Sequence, residues 1–379
     1  MAVPLLDLKA QWEQVGEEVL AALKEIFTSA RYIMGPPVAQ FEDEVAAYCG
    51  CRHAVGCASG SDAIVLALLA LEIGPGDEVI VPAFTFFATA GAVSRVGATP
   101  VFADNDPVSY NILPGEIERL ATPRTKAAVP VHLFGQVAEM DAIVETCRPR
   151  GIRIIEDAAQ SIGAKYKGRR TGQTGGDVAT LSFFPSKNLG CLGDGGMCLT
   201  NDEGLAERLR ILRLHGAKPK YQHKLIGVNS RLDSLQAAAL SVKLKYLEGW
   251  HEGRRRNAAD YDAKLAGVPG IETPSIAEHC ESIYNQYTIR IKDGKRDMVR
   301  DGLKERGIGC EVYYPIPLHL QECYAGLGGK SGDLPGAEEA AQEVLSIPVY
   351  PELSEEQRDE VVGALKALVG QGVTASSTH

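Results

Sequence analysis

"HAVGCASGSDAIVLALLALEIGPGDEVIVP", residues 53–82, carries three patterns in succession. His53–Ala58 is a short, largely apolar run and reads as a strand. "SDAIVLALLALEIG" places apolar residues at helical spacing without a proline and reads as a helix. Asp77–Pro82, "DEVIVP", is a second apolar run. Strand, helix and strand at this spacing form the unit of a parallel sheet, since parallel neighbours need a crossover between them.

The alternation continues along the chain. "FFATAGAVSRVG" reads as a helix and "TPVFAD" (Thr99–Asp104) as a strand, followed by a helix near "PGEIERLA". "KAAVPVHL" is a strand, "EMDAIVETCRPRG" a helix and "IRIIED" (Ile152–Asp157) a strand again. "DVATLSFF" and "GMCLTND" add two more strands around a glycine-rich loop. The expectation is an α/β protein with a large, mostly parallel sheet covered on both faces. From about Ser230 to Leu265 the apolar spacing predicts one long helix leading into a second, smaller α+β domain that contains "NQYTIRI" and "EVYYPIPLH". The expected division is a large domain over 1–248 with an N-terminal arm, a small domain over 249–370, and a small, polar, disordered tail over 371–379.

Composition narrows the function classes. Of the 379 residues, 45% are hydrophobic and 23% charged, an ordinary globular balance. A net charge of -10 with no basic run disfavours nucleic acid and anionic membranes as partners. "MAVPLLDLKAQWEQ" lacks the basic segment and apolar run of a signal peptide, and no stretch is apolar enough to span a bilayer. The nine cysteines form no Cys-x-x-Cys pair. Cys49, Cys51 and His53 cluster but read as buried thiols beside a strand, so neither disulfides nor a metal site is expected and a cytoplasmic setting is. There is no G-x-G-x-x-G after the first strand and no G-x-x-x-x-G-K-[ST], which weakens a dehydrogenase or phosphate-loop reading.

Ligands of a parallel sheet bind beyond the carboxyl ends of its strands. Three stretches converge there. In "ASGSDAI" small residues precede a helix start at Ser61 or Asp62, where free N–H groups can hold an anion; alone this also reads as Ser61 capping its own helix. In "IIEDAAQS" Asp157 ends an apolar strand, with Gln160 three residues on. That carboxylate suits a cationic ring nitrogen, although a helix cap is the plainer reading. In "SFFPSKNLGCLGDGG" Ser182 ends a strand and Lys187 stands in the loop. A lysine amine near its ordinary pKa of about 10.4 is a weak nucleophile, but joined to an aldehyde cofactor it becomes a covalent handle and a proton shuttle. An anion cup, a carboxylate and an amine, in this order, are what pyridoxal phosphate requires.

These motifs, together with "LLDLKAQ", "YIMGPPVAQFEDEVAAYCG", "GDEVIVPAFTFFATA", "GVNSRLDSLQAA" and "YYPIPLH", carry a resemblance over nearly the whole chain. It resembles the DegT/StrS-type nucleotide-sugar aminotransferases, whose fold is the type I, aspartate-aminotransferase-like pyridoxal phosphate fold. The resemblance implies that Lys187 bonds the cofactor aldehyde and later moves the proton. It implies that Asp157 pairs with the pyridine nitrogen, Gln160 meets the ring's phenolic oxygen, and Gly60, Ser61 and Ser182 hold the phosphate. Phe86 would stack on the ring, and Asn229 would reach the phosphate of a neighbouring subunit's cofactor in a homodimer with shared sites. Arg231, Tyr314 and His319 would meet the sugar nucleotide; Tyr313 stands where many relatives carry histidine. L-glutamate would be the amino donor. The acceptor would be UDP-2-acetamido-2-deoxy-3-keto-glucuronate, on a route to surface polysaccharides, or alternatively a 3-keto- or 4-keto-6-deoxy sugar nucleotide of an O-antigen or antibiotic pathway. A regulatory protein that keeps the fold without the chemistry is disfavoured by the intact Lys187, Asp157 and Gln160.

Overall fold

The computed structural model describes residues 2–370; the expectation of a disordered tail over 371–379 lies outside the described residues. In chain order the first strands are β1 (His53–Cys57), β2 (Glu78–Pro82), β3 (Thr99–Ala103), β4 (Thr125–Ala128) and β5 (Arg153–Asp157). A short hairpin, β6 (Lys165–Tyr166) and β7 (Arg169–Arg170), precedes β8 (Val178–Ser182) and β9 (Gly196–Thr200). Seven of these form one sheet in the order β1-β9-β8-β5-β4-β2-β3. The pairs β2–β3, β2–β4, β4–β5 and β5–β8 are parallel, and β9 runs against both of its neighbours.

Both faces of this sheet are buried. Successive residues of a strand point to opposite faces, and on β9 Cys198 joins one apolar cluster while Met197 and Leu199 join another. The first cluster holds helix Gly60–Ala70, which is buried nearly all round, as an apolar helix between a sheet and outer helices must be. The second packs helices Leu8–Ser29, Pro36–Cys49 and Ser234–Leu244 on the other face.

The expected single helix over about 230–265 is two. Helix Ser234–Leu244 ends in a tight turn, with Lys245 N–H on Val242 O at 3.3 Å and Tyr246 N–H on Lys243 O at 3.0 Å, before helix Leu247–Leu265 begins. Neither glycine nor proline marks the break. Packing sets it: Tyr246 stacks on Trp250 at 6.1 Å, its hydroxyl donates to Glu18, and Lys243 Nζ turns inward to Gly190 O at 2.7 Å.

Beyond Leu265 lie β10 (Ile271–Glu272), β11 (Cys280–Glu281), β12 (Tyr287–Ile291) and β13 (Val344–Ile347). β10, β12 and β13 form an antiparallel sheet, and β11 pairs with β6. Helices Arg296–Glu305 and Glu355–Val369 pack Val299, Leu303 and Leu365 with Ile289 and Ile291 of β12. Among the described residues no helix is long and apolar enough to cross a membrane, and no group of three His, Cys, Asp or Glu residues could hold a metal ion. The nine cysteines are all free.

Candidate active site

The carboxyl ends of β1, β2, β5 and β8 open on one edge of the large sheet, and the residues that carry chemistry follow them. After β1 the chain turns directly into helix Gly60–Ala70. Ser59, not Ser61, caps it, accepting from Asp62 N–H at 3.1 Å. The Ser61 hydroxyl is therefore spared the cap, and the first N–H groups of the helix lack intrahelical partners. The helix start lies against the end of β8 so closely that a Cβ on Gly60 would sit 2.6 Å from Ser182 Cβ and 3.0 Å from its hydroxyl. Gly196 permits the same approach from β9, since a Cβ there would fall 2.3 Å from the Ser59 carbonyl. The result is a cradle of N–H groups and serine hydroxyls of the size and polarity that a phosphate needs.

Asp157 ends β5 and is 5% exposed. Thr89 Oγ1 donates to its Oδ2 at 2.7 Å and Ala159 N–H to its Oδ1 at 3.2 Å. Burial pushes its carboxyl above the usual range, against those hydrogen bonds and the Lys187 charge. Lys187 stands in the loop after β8, its N–H held by Phe184 O at 2.8 Å. Its amine makes no hydrogen bond or ion pair among the described residues. Burial pushes that amine down to about 8, with the Asp157 carboxylate pulling the other way. A partnerless amine poised near neutrality beside a buried carboxylate suits covalent and proton-transfer chemistry at a carbonyl.

Gln160 is 6% exposed and spans two elements. Its Oε1 accepts from Phe134 N–H at 2.7 Å and its Nε2 donates to the Tyr314 hydroxyl at 3.1 Å. Burial pushes Tyr314 well above its ordinary value, so the phenol is a neutral hydrogen-bonding group. Phe86, on the loop after β2, is half exposed, with its ring 6.0 Å from that of Tyr314. Gly60, Ser61, Phe86, Asp157, Gln160, Ser182, Lys187 and Tyr314 are thus placed around one edge.

The remaining sequence-derived residues lie otherwise. Asn229 is exposed and bridges Leu214 in an isolated ladder rung. Next to it, Ser230 Oγ accepts from Ala58 N–H at 3.2 Å, which ties this segment to the end of β1. Arg231 is partly buried and makes no ion pair among the described residues. His319 is 3% exposed, and its contact is with Glu338, 3.1 Å from Nε2, rather than with Tyr314 or Gln160.

Sequence reasoning missed Thr89 and the pair His132 and Glu156. Thr89 carries no signal in a single chain, being one hydroxyl in an alanine-rich helix. His132 lies four residues beyond the end of β4, and its partner Glu156 is 24 positions away, so the single chain gives no signal for the pair.

The amine, the carboxylate and the anion cradle at one sheet edge fit pyridoxal phosphate: glycine replaces any side chain that would fill the cradle, and the amine has no partner among the described residues. Fold and site together define an α/β transferase of the type I aminotransferase class. Residues 13–366 match the DegT/DnrJ/EryC1/StrS aminotransferase family, and the chain belongs to it. It is 52% identical over 364 residues to the "Pleiotropic regulatory protein" of Geobacillus stearothermophilus, covering 96% of this chain and 97% of that one. It is 47% identical to the dTDP-3-amino-3,4,6-trideoxy-alpha-D-glucose transaminase of Streptomyces venezuelae, over 96% of this chain and 95% of that one. A UDP-2-acetamido-2-deoxy-3-oxo-D-glucuronate aminotransferase of Pseudomonas aeruginosa matches at 44%, over 93% and 96%. The crystal structure of S. venezuelae DesV in complex with a ketimine intermediate superposes with a TM-score of 0.95 at 46% identity, covering 98% of this chain and 99% of that one.

Proposed function

We propose that this aminotransferase moves an amino group from L-glutamate to a keto carbon of a nucleotide-linked sugar with pyridoxal 5'-phosphate as cofactor. The observation that carries the proposal is the Lys187 amine, partly buried beside Asp157 and without a hydrogen-bond or ion-pair partner among the described residues, on the sheet edge that also holds the Gly60–Ser182 cradle. Bound there, the cofactor supplies an aldehyde that exchanges amines and a ring that accepts electrons. The cradle of Gly60, Ser61 and Ser182 would hold its phosphate, and the half-exposed Phe86 ring would be the aromatic group offered to its ring. Asp157 keeps a proton on the ring nitrogen, the interaction that returns a buried carboxyl to its ionised form. Gln160 presents its remaining N–H to the ring oxygen. Lys187 would hold the aldehyde and, as a free amine, would serve as the base that moves a proton at the substrate carbon, a role suited to an amine that burial pushes below its ordinary value.

The acceptor we favour is UDP-2-acetamido-2-deoxy-3-keto-glucuronate, with Arg231 offering its planar fork of donors to the uronate carboxylate and Tyr314 and His319 on the sugar-nucleotide side. The P. aeruginosa relative supports this reading. The alternative is a 3-keto- or 4-keto-6-deoxy dTDP or UDP sugar, and the S. venezuelae relative, a dTDP-3-amino-sugar transaminase at similar identity, supports its 3-keto form. The same proposal divides the chain near residue 248 and pairs two copies in the cytoplasm, with Asn229 of each serving the other's phosphate site. Exposed apolar residues on helix Leu8–Ser29, among them Leu20 at 57% and Phe27 at 58%, support a covering copy.

The test has two stages. Purified protein should absorb in the visible after addition of pyridoxal phosphate and lose the band on borohydride reduction; a colourless, borohydride-insensitive protein refutes the cofactor. A panel of UDP- and dTDP-linked keto sugars with glutamate, read by mass spectrometry, then decides the acceptor. Amination of none of them refutes the substrate class.

A further inference from the structure

Asp157 is one residue from a second buried carboxylate. Glu156 is 1% exposed and points to the opposite face of β5, as the strand's alternation requires. Three donors meet it: His132 Nε2 lies 3.1 Å from Oε2, Thr174 Oγ1 2.5 Å from Oε2, and Gly176 N–H donates to Oε1 at 2.8 Å. Burial pushes the Glu156 carboxyl up, but these hydrogen bonds outweigh it and hold it below the usual range.

The histidine is fixed as firmly as the acid. His132 is fully buried, and Ala138 N–H donates to its Nδ1 at 3.2 Å. Nδ1 therefore carries the lone pair and Nε2 the proton that faces Glu156; a second proton would displace the Ala138 N–H. The same residue grips Asp157 through the main chain. His132 N–H donates to Asp157 O at 3.0 Å, and Asp157 N–H donates to Pro130 O at 2.8 Å. One residue thus holds Asp157 by its backbone and Asp157's chain neighbour by its side chain.

We infer that His132 and Glu156 are positioning residues that set the end of β5 and so aim the Asp157 carboxylate at the cofactor ring. This rests on the assignment of Asp157 above. A staple between strands alone gives no reason for a carboxylate here, because a buried polar pair stabilises no better than apolar packing of the same volume. A fixed negative charge on the far side of β5 does have a use: it adds to the field that favours a cation in front of Asp157. The titratable groups facing Asp157 are Lys187 from the loop after β8 and Tyr314 from beyond β12, while the His132 ring lies on the far side of β5 against Glu156 and acts on Asp157 only through the field.

The test compares Glu156→Gln, His132→Gln and Thr174→Val as apoproteins of verified melting behaviour, titrated with pyridoxal phosphate. An amide at 156 must set an N–H against one of three donors, so Glu156→Gln should weaken cofactor binding about tenfold or more and move the pH midpoint of the visible band by about half a unit or more. His132→Gln, which keeps an N–H donor but not the ring, should give a smaller shift in the same direction. Thr174→Val removes a donor yet leaves the His132–Glu156 contact, and should change both readouts less than about twofold, which a purely structural role would not predict. If Glu156→Gln fails to fold, the contrast between His132→Gln and Thr174→Val decides. Folded variants at 132 or 156 with wild-type affinity and midpoint overturn the inference alone; wild-type protein that takes up no cofactor overturns the Asp157 assignment with it.

Discussion

At the scale of single residues, the site holds groups in states they avoid elsewhere, and Lys187 shows what that costs. Its amine titrates near 8 in the folded chain because burial disfavours the charge, against about 10.4 in an unfolded one. The sign follows from proton counting. Between those values the unfolded chain binds the extra proton, so stability rises with pH across that window, and below it the full penalty remains. Lys187→Met should therefore raise the melting temperature of the cofactor-free protein at pH 7, by about 1–3 kcal/mol of stability. The gain should fade as pH climbs from 8 to 10.5, while turnover is abolished. Calorimetry at pH 7 and pH 10 checks both; an equal gain at the two values would show that the amine is not desolvated. Lys187, Asp157 and Ser182 stood out as candidates in the sequence because each sits at a strand end or in a glycine-rich loop where side chains rarely serve packing, whereas Gly60 came only with the family resemblance. Thr89 and His132 did not stand out, because their meaning lies in a partner 68 and 24 positions away, Asp157 for one and Glu156 for the other.

At the scale of elements, the cradle depends on how closely helix Gly60–Ala70 and β8 approach. Alanine at 60 would put a methyl 2.6 Å from Ser182 Cβ, and both neighbours are anchored, the helix by its Ser59 cap and β8 by β5 and β9. The separation must grow, and overpacking of this kind costs about 1–3 kcal/mol. Gly60→Ala should leave the protein folded but weaken pyridoxal phosphate binding about tenfold or more, measured by absorbance titration alongside inorganic phosphate as a competitor. Unchanged affinity would mean that the phosphate sits elsewhere. Strands were the easiest elements to read. β2 is buried on both faces, and its run Val79–Pro82 is unbroken and ends abruptly; β5 is buried too, but only Ile154 and Ile155 are apolar before Glu156 and Asp157 end it. The break at Lys245–Tyr246 was invisible because long-range contacts make it: Tyr246 to Glu18 and Lys243 to Gly190 bend a segment whose local pattern is helical throughout.

At the scale of the whole molecule, strand–helix alternation announced a parallel sheet but not its order, since pairing β1 and β8 through the reversed β9 is a long-range choice. Nor could alternation say what covers the surface left apolar by helix Leu8–Ser29 and by the segment that ends at Asn229, where Tyr221 is 80% and Ile226 96% exposed. If a second copy covers them and each site borrows Asn229 from its partner, inactivating changes in different protomers become complementary. In a hybrid of Lys187→Ala and Asn229→Ala protomers, one site carries both changes and the other carries neither. Random reassortment makes half the dimers hybrids with one intact site of two, so an equal mixture should recover about a quarter of wild-type turnover. Without sharing, every site in every dimer keeps one inactivating change and activity stays at the level of the parents. Native mass spectrometry can confirm that subunits have exchanged before the assay, so an inactive but fully exchanged mixture would place Asn229 in its own protomer's site.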